Sequence, residues 1–149
     1  FYTSPELRLP VAAASAPGGE LRVSPLQMAL AAATLSNKGI LPVPRLAIAV
    51  NTPHQGWVIL PALGAPMQAL SAQSASSTAE ALMVRGQPFW QASGKGVETQ
   101  EHKTITWYLA GTLPDWQGTP LALVIALEED NPSFTEYLGQ TLMQEALQP

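Results

Sequence analysis

The segment Thr104-Ile105-Thr106-Trp107-Tyr108-Leu109-Ala110-Gly111 is rich in β-branched and aromatic residues, the types that suit a pleated, half-buried surface. It reads as a strand. Strand-like runs flank it at about Phe89 to Val97 and Pro120 to Leu127, separated from it by a polar turn and by Pro114-Asp115-Trp116-Gln117-Gly118. Connections this short favour antiparallel neighbours over crossovers, so the three segments predict a meander. Trp107 and Tyr108 then point to opposite faces, one toward a core and the other toward a surface or interface. Beyond the third strand, Ser133-Phe134-Thr135-Glu136 reads as the capping box of a closing helix. Phe134, Leu138 and Leu142 form a stripe on that helix able to cover the sheet.

Upstream, Gly18-Gly19-Glu20-Leu21-Arg22-Val23-Ser24-Pro25-Leu26-Gln27-Met28-Ala29 sets a helix start at one residue. Ser24 can cap, Pro25 occupies the first helical position where its missing N–H costs nothing, and Gln27 completes a capping box. The helix is expected to run through Ala29, Leu30, Ala33 and Thr34 to about Asn37, with Gly39 supplying the left-handed residue that ends it and Pro42 blocking continuation. Residues 44–50 and 57–60 read as two strands of a hairpin. From Ser71, the three- and four-residue spacing of Ala72, Ala75, Ala79, Leu82 and Met83 predicts a further helix ending near Arg85-Gly86. The proline- and glycine-dotted stretch 1–20 is expected to be a leading segment, poorly ordered in part.

The chain has 149 residues, 46% of them hydrophobic, enough for one domain with a core. Its fold class is therefore α+β, an antiparallel sheet flanked by helices. A net charge of −4 with no basic cluster excludes the electrostatic footprint of a nucleic-acid binder. No apolar run approaches the length of a membrane span, and the absence of cysteine excludes disulfides and thiolate metal sites. His54 and His102 each fall in a turn without a partner at ligand spacing, so no metal site and no cofactor is expected. Glu128-Glu129-Asp130 reads as an acidic group favouring the start of the closing helix rather than as a catalytic cluster.

The string from Gly18 to Ala29, followed by alanines and Ser36-Asn37-Lys38-Gly39, resembles a segment midway through the transpeptidase domain of penicillin-binding proteins. Ala92-Ser93-Gly94-Lys95-Gly96 is similar to the approach to that family's Lys-Thr-Gly strand, and Trp107-Tyr108-Leu109-Ala110-Gly111 to the aromatic strand after it, twelve positions separating Lys95 from Trp107. The run Leu121 to Glu128 resembles the apolar strand that ends the family's sheet. Each string is short, and their order carries the resemblance.

The resemblance implies that residues 1–149 are a single fragment, the C-terminal portion of a β-lactamase/transpeptidase-like domain. It implies an extracytoplasmic protein of the cell envelope, its parent anchored in the cytoplasmic membrane, acting on peptidoglycan stem peptides through an acyl-serine. In the family, Ser-x-x-Lys supplies the nucleophile and its activating amine, and Ser-x-Asn assists proton transfer. Neither motif occurs in this chain, and both lie upstream in family order. The chain alone is thus expected to be inactive, with peptidoglycan peptide or β-lactam bound only together with the upstream half. The substrate-binding strand corresponds to Lys95, Gly96 and Val97, which departs from Lys-Thr-Gly. Gly96 offers no hydroxyl to a substrate carboxylate, Val97 adds bulk where glycine admits the acyl group, and Glu98 adds negative charge. That departure also fits a noncatalytic envelope scaffold or peptide-binding relative, and an unrelated small α+β binding domain is the third reading.

Overall fold

A computed structural model describes residues 22–45, 47–61, 64–98 and 101–148. The leading segment 1–20 lies outside them. The first described helix, α1 (Pro25–Ser36), begins as its sequence dictates: the Ser24 hydroxyl accepts from Gln27 N–H, and the Gln27 side chain accepts from Ser24 N–H at 2.8 Å. It ends at Asn37. Gly39 then takes φ +83°, and a side chain there would run into the Leu70 carbonyl. Gly39 thereby lets the short strand β1 (Ile40–Leu41) leave the helix and pair antiparallel with β4 (Met67–Gln68).

Between them, β2 (Ala49–Thr52) and β3 (Gly56–Ile59) form an antiparallel hairpin in the register Ala49 opposite Ile59 and Asn51 opposite Trp57. Its first strand starts later than the apolar run from Pro44 suggests. Helix α2 (Ala72–Ala81) is capped by Ser71 and buries Ala75 and Ala79, while Leu82 and Met83 fall beyond its end. There Met83 makes a single antiparallel bridge to Trp90.

Strands β5 (Phe89–Val97), β6 (Thr104–Thr112) and β7 (Ala122–Leu127) form the predicted antiparallel meander, ordered β5-β6-β7. Cross-strand pairs set Ser93 opposite Tyr108, Lys95 opposite Thr106 and Gly96 opposite Ile105. Alternation along the strands makes two faces. One carries Phe89, Tyr108 and Ala110 against Met143 of helix α3 (Pro132–Ala146), with Leu123 and Ile125 beside them. The other carries Trp90 against Ala32 of α1 and Ala79 of α2, with Leu109 and Val124 beside them. The sheet is therefore sandwiched between helices. Burying an aromatic as large as Phe89 contributes about 3 kcal/mol, so Phe89, Trp90 and Tyr108, all essentially inaccessible, anchor both layers.

Two expectations about α3 need correction. Its cap is Asn131, whose side chain accepts from Phe134 N–H at 3.2 Å, and Pro132 opens the helix, so Ser133 lies inside the first turn. The buried stripe is Thr135, Gly139 and Met143, whereas Phe134 and Leu142 are exposed and Leu138 is half-buried. The physical reason is Tyr108. Its ring stands up from β6 against the helix backbone at Gly139, where only a residue without a side chain admits it. Among the described residues no helix is long and apolar enough to cross a membrane.

Candidate functional site

Strand β5 lies at one edge of its sheet. Val84 N–H donates to the Phe89 carbonyl and Gln91 N–H to the Leu82 carbonyl, so at these residues the backbone turns away from β6. A strand has period two, so Ser93, Lys95 and Val97 also present their backbone groups outward. No strand pairs with that part of the edge among the described residues.

Alternation sets Lys95 and Val97 on the α3 face of the sheet and Gly96 on the other, with Val97, the last residue of β5, also reaching the cavity beside Gly96. The Lys95 side chain forms an ion pair with Asp130, just before α3, with both groups about half exposed. Thr106, the cross-strand neighbour of Lys95, braces the same corner by accepting from Asn131 N–H at 3.2 Å. Gly96 and Val97 instead line a cavity of about 470 Å³ together with Arg22, Val23 and Pro25 at the start of α1. Ile105, Trp107, Ala126, Glu98 and Glu128 complete the walls. A Cβ at Gly96 would stand 3.1 Å from the Trp107 indole nitrogen, so the missing side chain leaves the indole room in that wall. The structure brings Gly96 and Val97 together here and leaves Lys95 outside.

Chemically, the cavity offers an apolar floor of Ile105, Trp107 and Ala126 with one guanidinium, Arg22, and two carboxylates at its margin. Among the described residues its lining holds neither a serine nor a histidine. His54 is exposed in the β2–β3 turn and His102, with φ +55°, in the β5–β6 connection. Among the described residues no group of three or more His, Asp or Glu side chains could hold a metal ion. The acidic run is divided in use. Asp130 pairs with Lys95, the Glu129 carbonyl accepts from Thr106, and Glu128 reaches the cavity margin, all three just ahead of the helix cap Asn131.

The α3 face of the sheet carries a polar cluster not singled out from the sequence. Tyr108 Oη donates to Gln91 Oε1 at 3.0 Å, and Gln91 Nε2 donates to Glu136 Oε1 at 2.9 Å. Gln140 Nε2 donates to both acceptors, closing the network. Burial, with the Glu136 carboxylate adding to it, pushes the Tyr108 phenol up to about 12. The one available signal was that Glu136 and Gln140 stand four apart on a helix, which places them on one face.

In comparisons with known proteins, no family model, no curated protein and no solved structure matches the chain.

Proposed function

We propose that this chain is the C-terminal part of a penicillin-binding transpeptidase domain, contributing one wall of the groove that receives peptidoglycan stem peptides. The observation that carries the reading is convergence: Arg22-Val23-Pro25, Gly96-Val97, Trp107 and Ala126 come from the four strings that resemble the family, and all line one cavity. The open outer edge of β5 beside it suits an extended peptide, which adds to a sheet by main-chain hydrogen bonds. On this reading the nucleophile belongs to the upstream half, and the parent is an exported, membrane-anchored protein. The present chain binds and orients without forming a covalent bond.

The ion pair of Lys95 with Asp130 favours the noncatalytic alternative within the same reading, a peptide-binding relative in the cell envelope. The Lys95 ammonium is engaged by Asp130 and takes no part in the cavity lining. Titration of the labelled chain with a stem peptide ending in D-alanyl-D-alanine tests the proposal by amide chemical shifts. Shifts at Ser93, Lys95 and Val97 are expected. Saturating peptide that moves none of these amides would overturn it.

A further inference from the structure

We propose that the β2–β3 hairpin is a docking element for an anionic phospholipid surface. A hairpin of a globular domain ordinarily rests one face on a core, because two strands alone are marginal in water. This one does not. Among the described residues its extensive packing is confined to its own two strands. Trp57 and Ile59, two apart in β3 and therefore on one face, are 73% and 80% exposed. On the opposite face Ile48, aligned with Leu60 by a 2.9 Å backbone hydrogen bond, is 68% exposed, and Val50 is also open to solvent.

Charge identifies the occupant. From Leu46 to Ala79 the sequence contains no Asp, Glu, Lys or Arg, and no carboxylate at all stands between Glu20 and Glu80. The cations bordering this tract are Arg22, Lys38 and Arg45, with Arg45 fastened to the hairpin base through a 2.9 Å hydrogen bond to the Leu60 carbonyl. Acidic residues gather instead after Ala79, nine of the eleven in the chain. A bilayer interface calls for what is present: an indole for the headgroup level, aliphatic side chains below it, no carboxylate to desolvate, and a cation at the margin for lipid phosphates.

The hairpin therefore lies on the bilayer surface, Trp57 and Ile59 entering the interface and Arg45 meeting the phosphates.

Co-sedimentation of the 149-residue chain with vesicles of phosphatidylcholine, alone or mixed with phosphatidylglycerol, tests this. Binding to the mixed vesicles and weaker binding to phosphatidylcholine alone are expected. The double substitution Trp57→Ser/Ile59→Ser should lower the partition coefficient by about tenfold or more. Arg45→Gln should lower it by about fivefold and flatten its salt dependence, while Arg45→Lys should preserve it. Circular dichroism of each variant should match the parent, since the hairpin stands apart from the core. Failure to sediment with either vesicle would overturn the proposal, as would binding indifferent to the double substitution. A concentration-dependent dimer abolished by that substitution would assign the hairpin to a second copy of the chain and equally overturn it.

Discussion

Gly139 of α3 lies directly against the ring of Tyr108 in β6, so close that a β-carbon at position 139 would fall within the ring's own atoms. The contact fixes the depth at which the helix settles on the sheet. Gly139→Ala should therefore cost about 3 kcal/mol through overpacking, of which better helix propensity returns only ~1 kcal/mol. A lowered urea midpoint at unchanged m-value is the expected result. A midpoint equal to that of the parent would show that the helix can lift without penalty.

The two candidate caps of α3 separate cleanly by substitution. Asn131→Ala removes the acceptor for Phe134 N–H and should cost about 1 kcal/mol. Ser133→Ala should change stability by no more than ~0.5 kcal/mol, as surface substitutions generally do. The reverse ranking in thermal melts would restore Ser133 as the cap.

These two predictions mark where the sequence was legible. Ser24, Pro25 and Gln27 lie within four residues, so their capping geometry needs no tertiary information, and α1 starts where they place it. The strands of the meander were readable for the same reason, composition and short turns being local. Asn131-Pro132 and the Ser133 box both encode a helix start, and choosing between them depends on Thr106, twenty-five residues back, receiving the Asn131 N–H. The inner face of α3 was hidden more deeply. Hydrophobicity points to Phe134 and Leu142, but the sheet presents a tyrosine ring that selects Gly139 by size and so turns Thr135 and Met143 inward with it. The cavity, too, depends on which strand face each residue takes, so Lys95 and Gly96 could be read as adjacent and not as divergent.

Trp90 donates its indole N–H to Ser36 Oγ at 3.0 Å in a buried site, beside Gly111, where any side chain would meet both. Ser36→Ala leaves that N–H unsatisfied and should cost about 1–3 kcal/mol. In a double-mutant cycle with Trp90→Phe the coupling energy should be about 1 kcal/mol. Additive losses would mean that the bond contributes nothing beyond packing.

Alkaline stability should report on Tyr108. Its folded pKa of about 12 lies above the ordinary 10.0, so the folded state retains a proton that the unfolded state releases. The resulting stabilisation is complete below pH 10.0 and is lost as pH rises toward about 12. Tyr108→Phe should remove this component of the decline in denaturant midpoint across that window. An identical slope in the variant would assign the loss to other groups.

Incubated with a labelled β-lactam, the isolated chain should form no covalent adduct, because no serine precedes a lysine by one helical turn. Intact-mass spectrometry should return the unmodified mass. A stoichiometric acyl-serine would reveal a nucleophile activated by some other arrangement.

The outer edge of β5 is only half vacant, because Leu82 and Val84 already occupy the backbone groups of Phe89 and Gln91. A visiting strand can run along Ser93 to Val97, about 16 Å at strand rise, before it meets that obstruction. A long polypeptide lying through the site would have to peel residues 82–84 away, whereas a short one with a free end stops there. If the edge receives a peptide as proposed, it sets a stop at one end, admitting a chain that terminates at Gln91 and resisting one that continues past it.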